Sequence, residues 1–114
     1  SQMKINWAYM RKGWTSCKKV QEVLDQKKIA LGEVIDARKQ RYDIDAVWDL
    51  IQSAKSITIA KGKKVNHWEI SGDTKAEILK NAMGPSGNLR APTFKIKDQF
   101  LIGFNLDLYD ENIK

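Results

Sequence analysis

The 114-residue sequence predicts a single α/β domain, and three observations carry that prediction. A β-like run at 5–9 turns through Gly13 into a helix, and a second apolar run follows at 29–37. Ile44, Val47, Trp48 and Ile51 recur at i, i+3, i+4 and i+7, the period of an amphipathic helix. Near the end, Phe94 and Ile96, then Phe100, Ile102 and Phe104, alternate with other residues across a turn at 97–99, the pattern of a β-hairpin. Length and composition agree with this class. The chain is long enough to bury a core, and 42% hydrophobic with 30% charged residues is ordinary for a soluble globular protein.

Taken in order, Thr15 and Ser16 are good helix caps after Gly13, and Cys17, Val20, Val23 and Leu24 form one apolar stripe. The run at 29–37, with Gly32 inside it, reads as a buried second strand parallel to the first. Asp43 is placed to cap the helix that follows. From 56 to 70 helical periodicity stops: Ile57 and Ile59 alternate with polar neighbours and Lys61-Gly62-Lys63 supplies a turn, so a small hairpin or extended excursion is expected. Thr74 and Glu77 suggest a capping box for a third helix that ends at Gly84-Pro85. A short terminal helix is expected over 106–113. Ser1 and Gln2 precede Met3 as a cloning-tag remnant would, leaving 3–114 as the domain.

Composition also bounds function. No apolar run approaches the roughly 18 residues of a membrane span, and no signal-peptide pattern stands at the start, so a cytoplasmic protein with no membrane partner is expected. One cysteine excludes an internal disulfide and agrees with a reducing compartment. The +6 charge is spread over many short basic clusters that aromatics do not interleave, so nucleic acid is not expected as a partner. His67 is the sole histidine and has no cysteine or carboxylate at ligand spacing, so no metal site is expected. The glycines at 84–87 lack a phosphate-loop ending. Trp48 and Trp68 read as core residues.

The chemistry-bearing stretch is Trp14-Thr15-Ser16-Cys17-Lys18-Lys19. A cysteine in the first turn of a helix meets unpaired N–H groups and the positive end of the helix dipole, which favour a thiolate, and nearby lysines add to this. Burial on the apolar stripe acts the other way, so access is expected to decide and Cys17 to react slowly. The alternative is that Cys17 is a small core hydrophobe and Trp14 a surface aromatic.

The order of elements resembles the thioredoxin fold, a four-stranded mixed sheet flanked by helices, and Trp14 to Cys17 is similar to its Cys-x-x-Cys with tryptophan in the outer place. Pro92 just ahead of the hairpin and Gly103 late in its second strand support this, and the resemblance implies a cis proline facing the motif and a following helix packed close to Gly103. Trp14 to Lys19, Arg90-Ala91-Pro92 and Ile102-Gly103-Phe104 resemble the arsenate reductase and Spx branch. The run Gly-Pro-Ser-Gly-Asn-Leu-Arg-Ala-Pro-Thr at 84–93 is similar to the bacterial arsenate-reductase-family (seleno)proteins, some of which carry selenocysteine at the place of Trp14. The resemblance implies a thiol- or selenol-dependent, glutaredoxin-like oxidoreductase acting on a disulfide, peroxide or oxyanion. It implies no tightly bound cofactor, with glutathione or thioredoxin as electron donor. Position 14 is then the nucleophile's place and Cys17 the resolving thiol, while Thr15, Ser16, Arg90, Ala91, Pro92 and Thr93 form the substrate edge. Ala91 separates Arg90 from Pro92, unlike the arrangement that holds arsenate, and Trp14 leaves this chain impaired as a redox enzyme. The other implied role is a non-enzymatic, Spx-like binding module.

Overall fold

The apolar runs found in the sequence all join one sheet. The structure, a computed structural model, describes residues 4–13 and 15–103. In chain order these form β1 (Lys4–Met10), α1 (Thr15–Lys27), β2 (Ala30–Asp36), α2 (Ile44–Ile51), β3 (Ser56–Lys61), β4 (Lys64–Glu69), α3 (Lys75–Ala82), β5 (Thr93–Ile96) and β6 (Gln99–Ile102). The strands lie in the order β2-β1-β5-β6-β3-β4. β1 is parallel to β2, and β3 to β6, while β5 is antiparallel to β1 and β6, and β4 to β3. The architecture is α/β with a mixed sheet.

Two expectations are corrected. The sheet has six strands among the described residues, not four. Alternation in 56–70 identifies strands but not their partner, and that partner is β6: Ile57 lies opposite Phe100 and Ile59 opposite Ile102, so the hairpin extends the sheet. The second correction concerns β2, expected to be buried. It is an edge strand, and Ala30, Gly32, Glu33 and Val34 are exposed, because α1 and β1 cover it only in part.

Each face of the sheet has its own core. On one face Tyr9, Ile57, Ile59, Phe100 and Ile102 meet Val47 and Ile51 of α2 and Ile78 and Ala82 of α3. On the other, Ile5, Ala8, Phe94 and Leu101 meet Val20 and Leu24 of α1. Burying each large side chain contributes about 1.5–3 kcal/mol. Trp48 and Trp68 pack half-buried against the first core.

The helix starts differ from one another. Asp43 caps α2 as expected, its carboxylate accepting from the Ala46 N–H at 2.9 Å. The capping box at Thr74 does not form. The Thr74 hydroxyl instead donates to the Glu69 carbonyl at 2.6 Å and accepts from the Ser71 N–H at 3.0 Å, closing the turn between β4 and α3. The terminal helix expected over 106–113 lies outside the described residues, as do residues 1–3.

Gly103 holds the junction after β6. Its φ is +90°, its N–H donates to the Pro92 carbonyl at 2.9 Å, and a Cβ would stand 2.3 Å from the Ala60 carbonyl oxygen. Its close neighbour is thus the β3 backbone; the helix expected beside it lies outside the described residues. Gly62 has a φ of +59° with nothing within 4 Å of its would-be Cβ. Gly62→Ala should therefore cost only the conformational term, about 1 kcal/mol. Gly103→Ala adds a backbone clash and should cost at least about 3 kcal/mol. Urea unfolding midpoints of the two variants check this, and equal losses would show that the close approach to Ala60 is not tight.

Candidate functional site

Strand directions gather the candidate residues at one end of the sheet. β1, β2, β3 and β6 all end there, and β5 begins there. The turn from β1 into α1, the approach to β5 through Arg90, Ala91 and Pro92, and the Lys61-Gly62 turn therefore share that end. Open α/β sheets bind ligands beyond the carboxyl ends of their strands.

Cys17 sits in the first turn of α1 with 4% of its surface exposed. Gly13, at φ +91°, turns the chain from β1 into that helix. The turn aims the Arg11 N–H at the Cys17 sulfur, 3.4 Å away. Burial pushes the thiol's pKa up, and the Arg11 N–H offsets this only in part. Cys17 is thus a protonated, poorly accessible thiol at neutral pH. The expectations at Trp14, and at the side chains of Thr15 and Ser16, lie outside the described residues.

The segment ahead of β5 is engaged with the protein itself. The Ala91–Pro92 peptide bond is cis, and Pro92 is buried. Thr93 is fully buried; its hydroxyl donates to the Arg90 carbonyl at 2.7 Å, and its backbone lies in register between Tyr9 and Ile102. The half-buried Arg90 guanidinium donates to the Ala60 carbonyl at 3.1 Å, and burial lowers its pKa. It straps the 84–90 loop to the end of β3. Ala91 lies half-exposed beside Arg11 in a hollow of about 280 Å³.

Sequence reasoning missed Asn88. This buried amide accepts from the Tyr42 N–H at 2.7 Å and donates to the Tyr9 hydroxyl at 3.0 Å. The Tyr9 hydroxyl in turn donates to the Gln40 carbonyl at 2.5 Å, and the Leu89 N–H donates to the Tyr42 carbonyl at 3.0 Å. The loop that presents Pro92 is thereby fixed to β1 and to the segment before α2. The sole signal in the sequence was that Asn88 falls inside the 84–93 run.

A second hollow, of about 370 Å³, opens between α1 and β2. Met10, Leu31 and Val34 give it an apolar wall, Cys17 lines it, and Lys12 and Lys18 reach it. No group of His, Cys, Asp and Glu among the described residues is arranged to hold a metal ion. The His67 ring Nδ1 pairs with the Thr58 hydroxyl at 2.7 Å across β3 and β4. Among the described residues no helix is long and apolar enough to cross a membrane.

The raised Cys17 pKa makes a prediction of definite sign. In the unfolded chain the thiol ionises near its ordinary value of about 8.5, whereas the folded protein keeps it protonated to higher pH. Stability from this source is full below the unfolded pKa and is lost as pH rises from there through the folded pKa. Replacing Cys17 by Ala should therefore flatten the alkaline fall in stability, read as the difference between the two proteins' urea midpoints from pH 7 to 10. Parallel curves would show the thiol to be unperturbed. Compared with models of known protein families and with curated protein sequences, the chain matches none.

Proposed function

We propose that the chain is a thioredoxin-fold oxidoreductase of the arsenate-reductase-like class whose outer redox residue is replaced by Trp14. One observation carries the reading: Cys17 lies buried in the first turn of α1, at the same end of the sheet as the Ala91-Pro92-Thr93 approach to β5. The strand order β2-β1-β5-β6 supports it, because those four strands match the mixed sheet of that fold, with β3 and β4 added at one edge. The 84–93 run supports the narrower resemblance.

The chemistry divides between two positions. In a form with cysteine or selenocysteine in place of Trp14, a thiolate or selenolate there would attack one sulfur of a disulfide substrate, and the other sulfur would leave as a thiolate. The Cys17 sulfur then attacks the mixed bond, passing its proton to the second leaving sulfur. Two electrons have reached the substrate, and a 14–17 bond holds the oxidised protein until two glutathione molecules, or thioredoxin, return them. A protonated, shielded Cys17 suits the second step, since it stays unreactive until the mixed bond forms beside it. Arg90 acts in this reading as a strap for the substrate-facing loop, its guanidinium being held by the Ala60 carbonyl.

The competing reading is a non-enzymatic, Spx-like binding module. It is favoured by one observation, the absence of a second thiol from the sequence. Trp14→Cys separates the two. The redox reading expects this variant to form an internal disulfide with Cys17, seen as loss of both free thiols on mild oxidation, and to gain glutathione-dependent disulfide or peroxide reductase activity. Trp14→Cys combined with Cys17→Ser should lose the disulfide. The codon at position 14 of the native gene is the second test, because UGG differs from the selenocysteine codon UGA by one base. A native UGG together with an inactive Trp14→Cys protein would leave the binding module as the function.

A further inference from the structure

We propose that the hollow between α1 and β2 is a binding site for a small amphiphilic anion, an apolar body bearing one carboxylate or similar head. The proposal does not depend on the redox reading. At about 370 Å³ the hollow lies at the small end of the range for ligand sites, which are apolar with a few convergent polar groups. Its wall fits that description. Leu31 and Val34 come from β2 and Met10 from the end of β1, and half of the Val34 surface is exposed to solvent. An edge strand ordinarily turns charge outward, so an exposed valine at this position has no evident role in the sheet.

The charged groups that line the hollow among the described residues are of one sign: Arg11, Lys12 and Lys18 line it, and no aspartate or glutamate among those residues does. Gln21 lines it as well, its amide donating to Asp25 one turn further along α1 at 3.0 Å. Glu33 is in register with Trp7 and Val34 with Ala8, so the carboxylate of Glu33 belongs to the opposite face of the sheet from the valine. The exposed Lys12 and Lys18 beside an apolar wall select an anionic head over a neutral or cationic one. An apolar tail bound there would cover Val34, half of whose surface faces solvent.

The test uses 1-anilinonaphthalene-8-sulfonate as the fluorescent probe, with native protein and straight-chain competitors. Decanoate should displace the probe with one-to-one stoichiometry, and octanoate should be about tenfold weaker for the two methylenes lost. Decylamine, with the same tail and the opposite charge, should not displace it. Val34→Asp should weaken decanoate at least about tenfold by placing a carboxylate on the wall. Lys12→Glu with Lys18→Glu should abolish the preference for decanoate over decylamine. All three positions are exposed, and melting curves matching the native protein would show that the fold is retained. Cys17→Ala, which removes the thiol and leaves both lysines, should still prefer decanoate to decylamine, which separates the charge selection from any redox role of the thiol. Saturating decanoate should also slow the alkylation of Cys17. Absence of probe binding, equal displacement by decylamine and decanoate, or native affinity in both charge-altered variants would each overturn the proposal.

Discussion

Tyr9 is the constraint on which the molecule's candidate site depends. Its backbone lies in register between Ile35 of β2 and Thr93 of β5, so it sits where the amino-terminal βαβ half meets the carboxy-terminal hairpin. Its hydroxyl reaches Gln40 and Asn88, 31 and 79 positions away. No water reaches the ring, and each hydrogen bond replaces one that the unfolded chain makes with solvent, so the net gain per bond is modest. The larger effect is the penalty for breaking the set, since a lone buried amide or hydroxyl costs about 1–3 kcal/mol. Trp7, Tyr42 and Phe100 then close the ring cluster, with Trp7 and Tyr42 edge-on at 6.1 Å and Tyr9 and Tyr42 at 5.2 Å. The 84–90 loop is thus tied to β1 and to the segment before α2.

The opposite side of the site is set by a competition at Cys17. The helix start and the Arg11 N–H favour the thiolate, and burial on the α1 stripe favours the thiol. Burial wins. A sulfur that stays neutral can share an apolar wall with Met10 and Leu31, whereas a thiolate there would call for water or a counter-charge. Burial in the first turn of α1 therefore quiets the one thiol the sequence offers.

How much of this the sequence showed follows from what each signal encodes. The α2 stripe and its Asp43 cap were legible, because helical period and capping are local, although Ile44, expected on that stripe, lies exposed in the first turn. The parallel pairing of β1 and β2 was also legible, since a crossover helix of that length leaves few alternatives. The partner of the 56–70 hairpin was not, because alternation describes a strand's two faces and says nothing of its neighbours. The edge position of β2 was hidden for a related reason: its apolar residues read as burial although half of Val34 faces solvent. At the site, the burial of Cys17 followed from its place on the apolar stripe of α1, and the cis bond at Ala91–Pro92 agrees with what the resemblance implied. The inward use of Thr93 and Arg90 did not. A hydroxyl or guanidinium looks available in sequence until the carbonyl that takes it is brought close, here across 30 positions for Arg90 and Ala60.

The two margins of the sheet differ in how they meet another molecule. β4 is bordered by Lys61, Lys63 and Lys64 at its turn and by Glu69 at its far end, all solvated, and such charges oppose the approach of a further strand. β2 carries a solvent-facing valine, Val34, as β4 carries Val65, and it sets the exposed carboxylate of Glu33 beside that valine. Neither margin is a bare apolar edge, and charge works against strand-to-strand addition at both, through lysines at one and a carboxylate at the other.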